Sequence, residues 1–150
     1  MHESSGWRGY VFSRKFDESY VPQRVQNIII REHARAHNLK FLLSIFEYDL
    51  ENSYISLESL LKELDSIDGI IFYSMNMLPK NALYRKSIFS RLLEKGKKLH
   101  FALEELKVED WSDVTFIEDV LMIASLASHA HLSLHEICSF ANARDNKTIY

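Results

Sequence analysis

The sequence predicts an α/β domain: about four mostly parallel strands with helices on both faces, followed by two C-terminal helices. Three observations predict it. Short apolar runs alternate with longer amphipathic ones in the order β-α-β-α-β-α-β-α-α. Strands separated by helices pair in parallel through right-handed crossovers. Four glycines and two prolines in 150 residues argue against a repeat array or a disordered tail. The expected organisation is a single domain over 1–150, with its core at about 7–106 and a helical extension at about 110–145.

Each element has its own local reason. Trp7 to Ser13 is nearly continuous in apolar and β-prone residues, as in a strand buried on both faces. Pro22 suits the first position of a helix running to about His37. On it Val25, Ile29 and Ala36 share one side and Arg24, Asn27, Arg31 and Arg35 the other, with Gln26, Ile30, His33 and His37 as a flanking stripe. Leu39 to Phe46 is the second strand. Leu57, Leu60, Leu61 and Leu64 give the spacing of a second helix. After the Asp68-Gly69 turn, Ile70 to Tyr73 forms a third strand. Tyr84, Ile88, Phe89, Leu92 and Leu93 mark a third helix, with Gly96 just past its end. Leu99, Phe101 and Leu103 alternate as a fourth strand. Val114, Ile117, Leu121 and Ala124 stripe one more helix, and Ser133-x-x-Glu136 is a capping box that opens the last.

Composition narrows the class. Hydrophobic content of 47% and charged content of 26% are those of a globular chain. The single cysteine, Cys138, excludes an intrachain disulfide framework and fits a reducing cytosol, most simply as a core thiol. The first residues contain no apolar signal region, and no segment reaches bilayer length, so a cytoplasmic location without membrane contact is expected. A net charge of -3 gives no overall pull toward nucleic acid. Charge is nonetheless uneven. Seven basic residues and one acid fall between Lys80 and Lys98, then seven acids and one base between Phe101 and Val120. Solvated helix faces are the simpler reading, and a basic helix meeting phosphate is the sharper one.

A parallel sheet gathers its strand ends at one edge, where open α/β sheets bind ligands. Here the ends supply Ser13-Arg14, Glu47-Tyr48, Ser74-x-Asn76 and Glu104-Glu105. Arg14 would hold an anion and Glu47 or Glu104 would handle a proton. Tyr48, Ser74 and Asn76 would bond hydroxyls, and Ser13 is a possible nucleophile without an identifiable base. Gln23 and Gln26 stand in the first turn of the helix after strand one, where free N–H groups suit a phosphate or carboxylate; Gln26 could equally bond a neighbouring loop. The same groups could instead be ion pairs that close the sheet end. Neither GxGxxG nor GxxxxGK[ST] occurs, so no dinucleotide or nucleoside-triphosphate cofactor is expected. His129, His131 and His135 straddle the Ser133 cap without an adjacent Cys or HExxH, and no metal is assigned to them.

Two resemblances extend this reading. Gly9-Tyr10-Val11-Phe12-Ser13, the Gln-bearing helix, Asp68 to Ser74 and Gly96 to Phe101 resemble the catalytic domain of the resolvase/invertase serine recombinases, over roughly 9–106. That family reads Gly-Tyr-Ala-Arg-Val-Ser at its first strand. Here Phe12 takes the arginine's place, Arg14 the nucleophile's, and Ser13 comes one position early. Its Asp-Arg-Leu-x-Arg after the third strand is matched by Asn76-Met77-Leu78-Pro79-Lys80, without either arginine. Phosphodiester transfer needs that positive cluster. The resemblance therefore implies the fold and not the recombinase chemistry.

The second is denser. Arg8-Gly-Tyr-x-Phe-Ser-Arg14, Pro22-Gln-x-Val-Gln-Asn27, Phe41-Leu-Leu-Ser44, Glu47-Tyr48, Tyr73-Ser74, Leu78-Pro79 and Leu99 to Glu104 resemble a small family found sporadically in bacterial surface-carbohydrate gene clusters. It implies a role in making or tailoring a polysaccharide or its nucleotide-sugar precursors, with a sugar phosphate or nucleotide sugar as ligand. The alternatives are a non-catalytic scaffold on a resolvase-like fold that lost its active site, and nucleic-acid binding through 80–98. Phe116, Val120 and Ile123 form a second apolar stripe beside Ile117, Leu121 and Ala124, which predicts a homo-oligomer, most simply a twofold dimer.

Overall fold

A computed structural model describes residues 5–16 and 20–130 of the chain. Its sheet has five strands: β1 (Trp7–Phe12), β2 (Phe41–Glu47), β3 (Gly69–Phe72), β4 (Lys98–Phe101) and β5 (Leu106–Val108), in the order β2-β1-β3-β4-β5. β1 pairs in parallel with both β2 and β3, and β3 with β4, while β5 runs antiparallel to β4. The helices are α1 (Gln23–Ala36), α2 (Ile55–Lys62), α3 (Ala82–Glu94) and α4 (Trp111–Ala130). The sheet and its covering helices lie in one compact unit, Met1–Val114; the rest of α4 belongs to a second, Thr115–Tyr150.

The chain steps from β1 outward to β2, then crosses back over β1 to β3 and continues to β4. Crossovers of one hand then place α1 on one face and α2 and α3 on the other. Side chains confirm the split. Odd positions of β1 face α1, where Gly9 allows the helix close. A Cβ on Gly9 would run into the Ser44 hydroxyl and sit 3.2 Å from Ile30. Even positions face α2: the Tyr10 hydroxyl donates to Glu47 at 2.7 Å, and the Phe12 ring lies 6.5 Å from that of Tyr54.

The structure corrects the sequence reading in four places. The buried side of α1 carries Gln26, Ile30 and His33 of the expected flanking stripe together with Ala34, while Val25, Ala36 and the stripe's fourth member, His37, are exposed. Two polar side chains on that stripe find partners inside, so polarity misplaced the face. Pro22 sits at the N-cap of α1 rather than at its first helical position. The fourth strand ends at Phe101, and Leu103 is exposed. The chain then turns through Glu105 in the left-handed region (φ 53°) and adds β5, a strand too short to show a period. Gly96, in contrast, stands just past α3 at φ 66°, as its position required. The last helix, from Ser133, and Cys138, His131 and His135 lie outside the described residues, as does the His129 side chain.

Three histidines gather on the α1 face. His33 Nε2 and His100 Nδ1 are 2.9 Å apart, the His37 ring lies 4.3 Å from that of His33, and Trp7 covers His100 at 4.5 Å. Burial first, and then repulsion from His37 on His33 and from His33 and His37 on His100, hold both below the usual histidine range, His100 at about 4. They form a neutral core pair. Among the described residues, no group of three His, Cys, Asp or Glu is arranged to hold a metal ion, and no helix is long and apolar enough to cross a membrane.

Candidate functional site

Glu47 ends β2 almost fully enclosed. Its Oε2 accepts from the Tyr10 hydroxyl and the Leu57 N–H, its Oε1 from the N–H groups of Tyr48 and Ser56. Ser56 and Leu57 are in the first turn of α2, whose own N-cap, Tyr54, supplies no side-chain bond. Glu47 is therefore the missing cap, delivered from the neighbouring strand, where a negative charge also meets the positive end of the helix. Four donors fill its acceptor sites. The same contact raises Tyr10, by burial first and then by the hydrogen bond to Glu47, well above the usual tyrosine range.

Arg14 is used in a similar way. Its two terminal nitrogens donate to the carbonyls of Tyr48, Leu50 and Ser53 at 2.8–2.9 Å, tying down the β2–α2 loop. The guanidinium lies 4.2 Å from the Phe12 ring centroid and 5.2 Å from that of Tyr54. The Ser13 hydroxyl donates to the Glu47 carbonyl at 2.5 Å. Gln26 is completely buried. Its carbonyl accepts from Phe12 N–H, and its amide donates to the carbonyls of Phe12 and Val21. Pairing of β1 with β3 stops at Tyr10 and Phe72. Gln26 thus supplies the two main-chain partners that Phe12 lacks, in the crevice where the two strands diverge. Gln23 opens the same helix half-buried.

At the next strand end, the Ser74 hydroxyl donates to Glu104 at 2.6 Å and accepts from Asn76 N–H, while Glu104 also accepts from Met75 N–H. This clamp closes the turn after β3 onto the β4–β5 connection. Tyr48 points its ring to solvent. The structure thus brings Ser13, Arg14, Glu47 and Tyr48 to one strand end and Ser74, Asn76 and Glu104 to another, with Gln26 in the crevice between.

What remains open is a cleft of about 370 Å³ beside that crevice. Half-buried Tyr54, backed by the buried rings of Phe12 and Phe16, gives it an aromatic wall, and Arg14, Lys15 and Lys80 outnumber its two carboxylates and make it cationic. Asp49, Glu51 and Asn76 complete the polar part. Among the described residues, neither Lys15 nor Lys80 has its ammonium in an ion pair, whereas much of the basic run is engaged. Arg85 donates to the carbonyls of Pro79 and Lys80, Arg91 pairs with Glu58, Lys95 with Asp65, and Lys98 with Glu109.

This architecture has known counterparts. The N-terminal catalytic domain of TP901-1 integrase superimposes with a TM-score of 0.58 at 9% identity, over 83% of this chain and 98% of that one. A resolvase family site-specific recombinase from Streptococcus pneumoniae gives 0.59 at 13% identity, over 91% and 98%. The fold is resolvase-like. At such identities the likeness extends to the fold alone. No family model and no curated protein matches the chain.

The sheet edge expected from the sequence lies beside this cleft, and Arg14 and Asn76 among the expected residues line it, but Phe16, Tyr54 and Lys80 were not among them. Phe16 and Tyr54 are apolar members of loops and carry no periodic signal. Lys80 was visible as the first of seven basic residues and as the last position of the segment matched to Asp-Arg-Leu-x-Arg, but only its place at the turn after β3 brings it to the cleft.

Proposed function

We propose that the protein binds a phosphorylated sugar in the Lys15–Lys80 cleft, in the service of bacterial surface-polysaccharide or nucleotide-sugar synthesis, and that it does so without acid–base catalysis. The observation that carries the reading is the division of labour at the sheet edge. Glu47, Glu104, Ser13 and Arg14 are bound up in internal contacts, while the cations with uncommitted heads, Lys15 and Lys80, line a cleft with an aromatic wall. Ammonium groups suit phosphate, and flat aromatic faces suit the apolar side of a sugar ring. The resemblance to the carbohydrate-cluster family supplies the pathway.

Thermal-shift measurement with sugar 1-phosphates and 6-phosphates tests this. A ligand present at 100 times its dissociation constant adds about 2.7 kcal/mol. Lys15→Ala with Lys80→Ala should abolish the shift while the unliganded melting temperature stays put. No shift across the panel refutes the reading.

A second reading, a non-catalytic scaffold, is favoured by one feature. β2 is an edge strand whose Leu42, Leu43 and Phe46 are exposed, and α4 exposes Phe116, Ile123 and Leu126. Such surface favours association, including the twofold dimer expected from the α4 stripes. Light scattering decides that point: a mass of 17.6 kDa denotes a monomer and twice that a dimer.

A further inference from the structure

The cationic cleft shares a wall with another. A more open cleft of about 640 Å³ is lined by Leu50, Ile55, Ser59, Lys62 and Tyr84, and Glu51, Asn52 and Tyr54 line both. The shared wall is held in place. Arg14 fixes the loop through three carbonyls, and Asn52 takes the left-handed conformation (φ 56°) that asparagine tolerates. Tyr54 stands between the guanidinium of Arg14, 5.2 Å from its ring, and the Tyr84 ring at 5.6 Å and 73°.

We infer that the two clefts form one bipartite site whose ligand is a nucleoside diphosphate sugar, with the diphosphate and sugar in the cationic half and the base against Tyr54 and Tyr84. The inference rests on the reading of the cationic cleft given above. Three features favour this class. The cationic cleft alone is at the small end of ligand sites, which span about 300–1,000 Å³. Two ammonium groups from different loops suit a diphosphate, while the Asp49 and Glu51 carboxylates of the same cleft suit sugar hydroxyls, which donate to them. The second cleft combines aromatic rings with fixed polar groups: Glu58 is held by the Tyr84 hydroxyl at 2.6 Å and by Arg91 at 2.8 Å, with Ser59 and Lys62 beside it. A base is flat and has hydrogen-bonding edges. An alkyl chain there would desolvate those polar groups without replacing their bonds.

Ser59 is exposed on α2, so Ser59→Trp can fill the second cleft without disturbing the core. Ile55→Trp, one turn earlier and also exposed, is the second blocking variant. Titration calorimetry would compare glucose 1-phosphate and mannose 1-phosphate with UDP-glucose and GDP-mannose. The expected result is at least one nucleotide sugar binding tenfold or more tighter than its monophosphate. Either tryptophan should reduce that affinity to the monophosphate's level and leave the monophosphate within twofold. Equal affinity for both ligand types, or a tryptophan that spares the nucleotide sugar, overturns the bipartite site and leaves the cationic cleft standing. Binding of neither type overturns both.

Discussion

Replacing Glu47 with glutamine separates a structural carboxylate from a catalytic one. The side chain keeps its size, but one oxygen becomes an NH₂ group. Of the four donors that converge on Glu47, two then face another donor: either Tyr10 and Leu57, or Tyr48 and Ser56. A buried donor left unpaired costs about 1–3 kcal/mol, so Glu47→Gln should destabilise the fold by roughly 2–5 kcal/mol. The lower end holds if the amide turns its nitrogen toward Tyr10, whose hydroxyl can rotate and accept. In a chain of this size each kcal/mol moves the melting temperature by about 2–4 °C, so a drop of roughly 4–20 °C is expected. Urea unfolding followed by circular dichroism measures it, with ligand binding recorded below the transition. A residue kept for chemistry behaves otherwise, since active-site groups commonly trade stability for function. Stability within about 0.5 kcal/mol of the parent, the spread of an ordinary surface change, would refute the capping role.

Three further predictions follow from other contacts. Gln26→Met fills the same volume but strips Phe12 N–H and two carbonyls of their partner, and should cost about 2–4 kcal/mol in urea unfolding. Gly9→Ala pushes a methyl into the Ser44 hydroxyl and Ile30 and should cost about 1–3 kcal/mol, relieved in part by Ser44→Gly. Stability should also fall in mild acid. The folded pKa values of His33 and His100 lie below the ordinary 6.5 of the unfolded chain, so the unfolded state takes up protons first as pH falls. Above pH 6.5 the pair has no effect. From there toward 4, where His100 titrates, each histidine that stays neutral removes at most about 1.4 kcal/mol per pH unit. Melting curves across that window should show the slope, and His33→Leu with His100→Leu should flatten it.

The first four strands were legible along the chain, three as nearly unbroken apolar runs flanked by polar turns and the fourth as an alternation, but their order in the sheet was not. β5 was not legible, since Leu-Lys-Val is shorter than one readable period. The face of α1 was misread for a related reason. A buried Gln26 and His33 look like surface residues until a main-chain gap at Phe12 and a second histidine from β4 are placed opposite them. The sheet edge was legible from the polar residues that end the strands, but their employment was not. Glu47 caps a helix that begins eight residues later, and Arg14 binds carbonyls more than thirty residues away; no local pattern encodes either contact. The cleft itself is a product of tertiary structure. Lys15, Tyr54 and Lys80 meet only when three loops are assembled.

The central claim is that Lys15 and Lys80 line a ligand cleft rather than an inert surface. Amide chemical-shift mapping with glucose 1-phosphate and UDP-glucose tests it most directly. The account predicts saturable shifts confined to residues 12–16, 49–54 and 76–80, with Ile55, Glu58, Ser59, Lys62 and Tyr84 joining them only for the nucleotide sugar. Shifts that do not saturate, or that fall outside these segments, would contradict it.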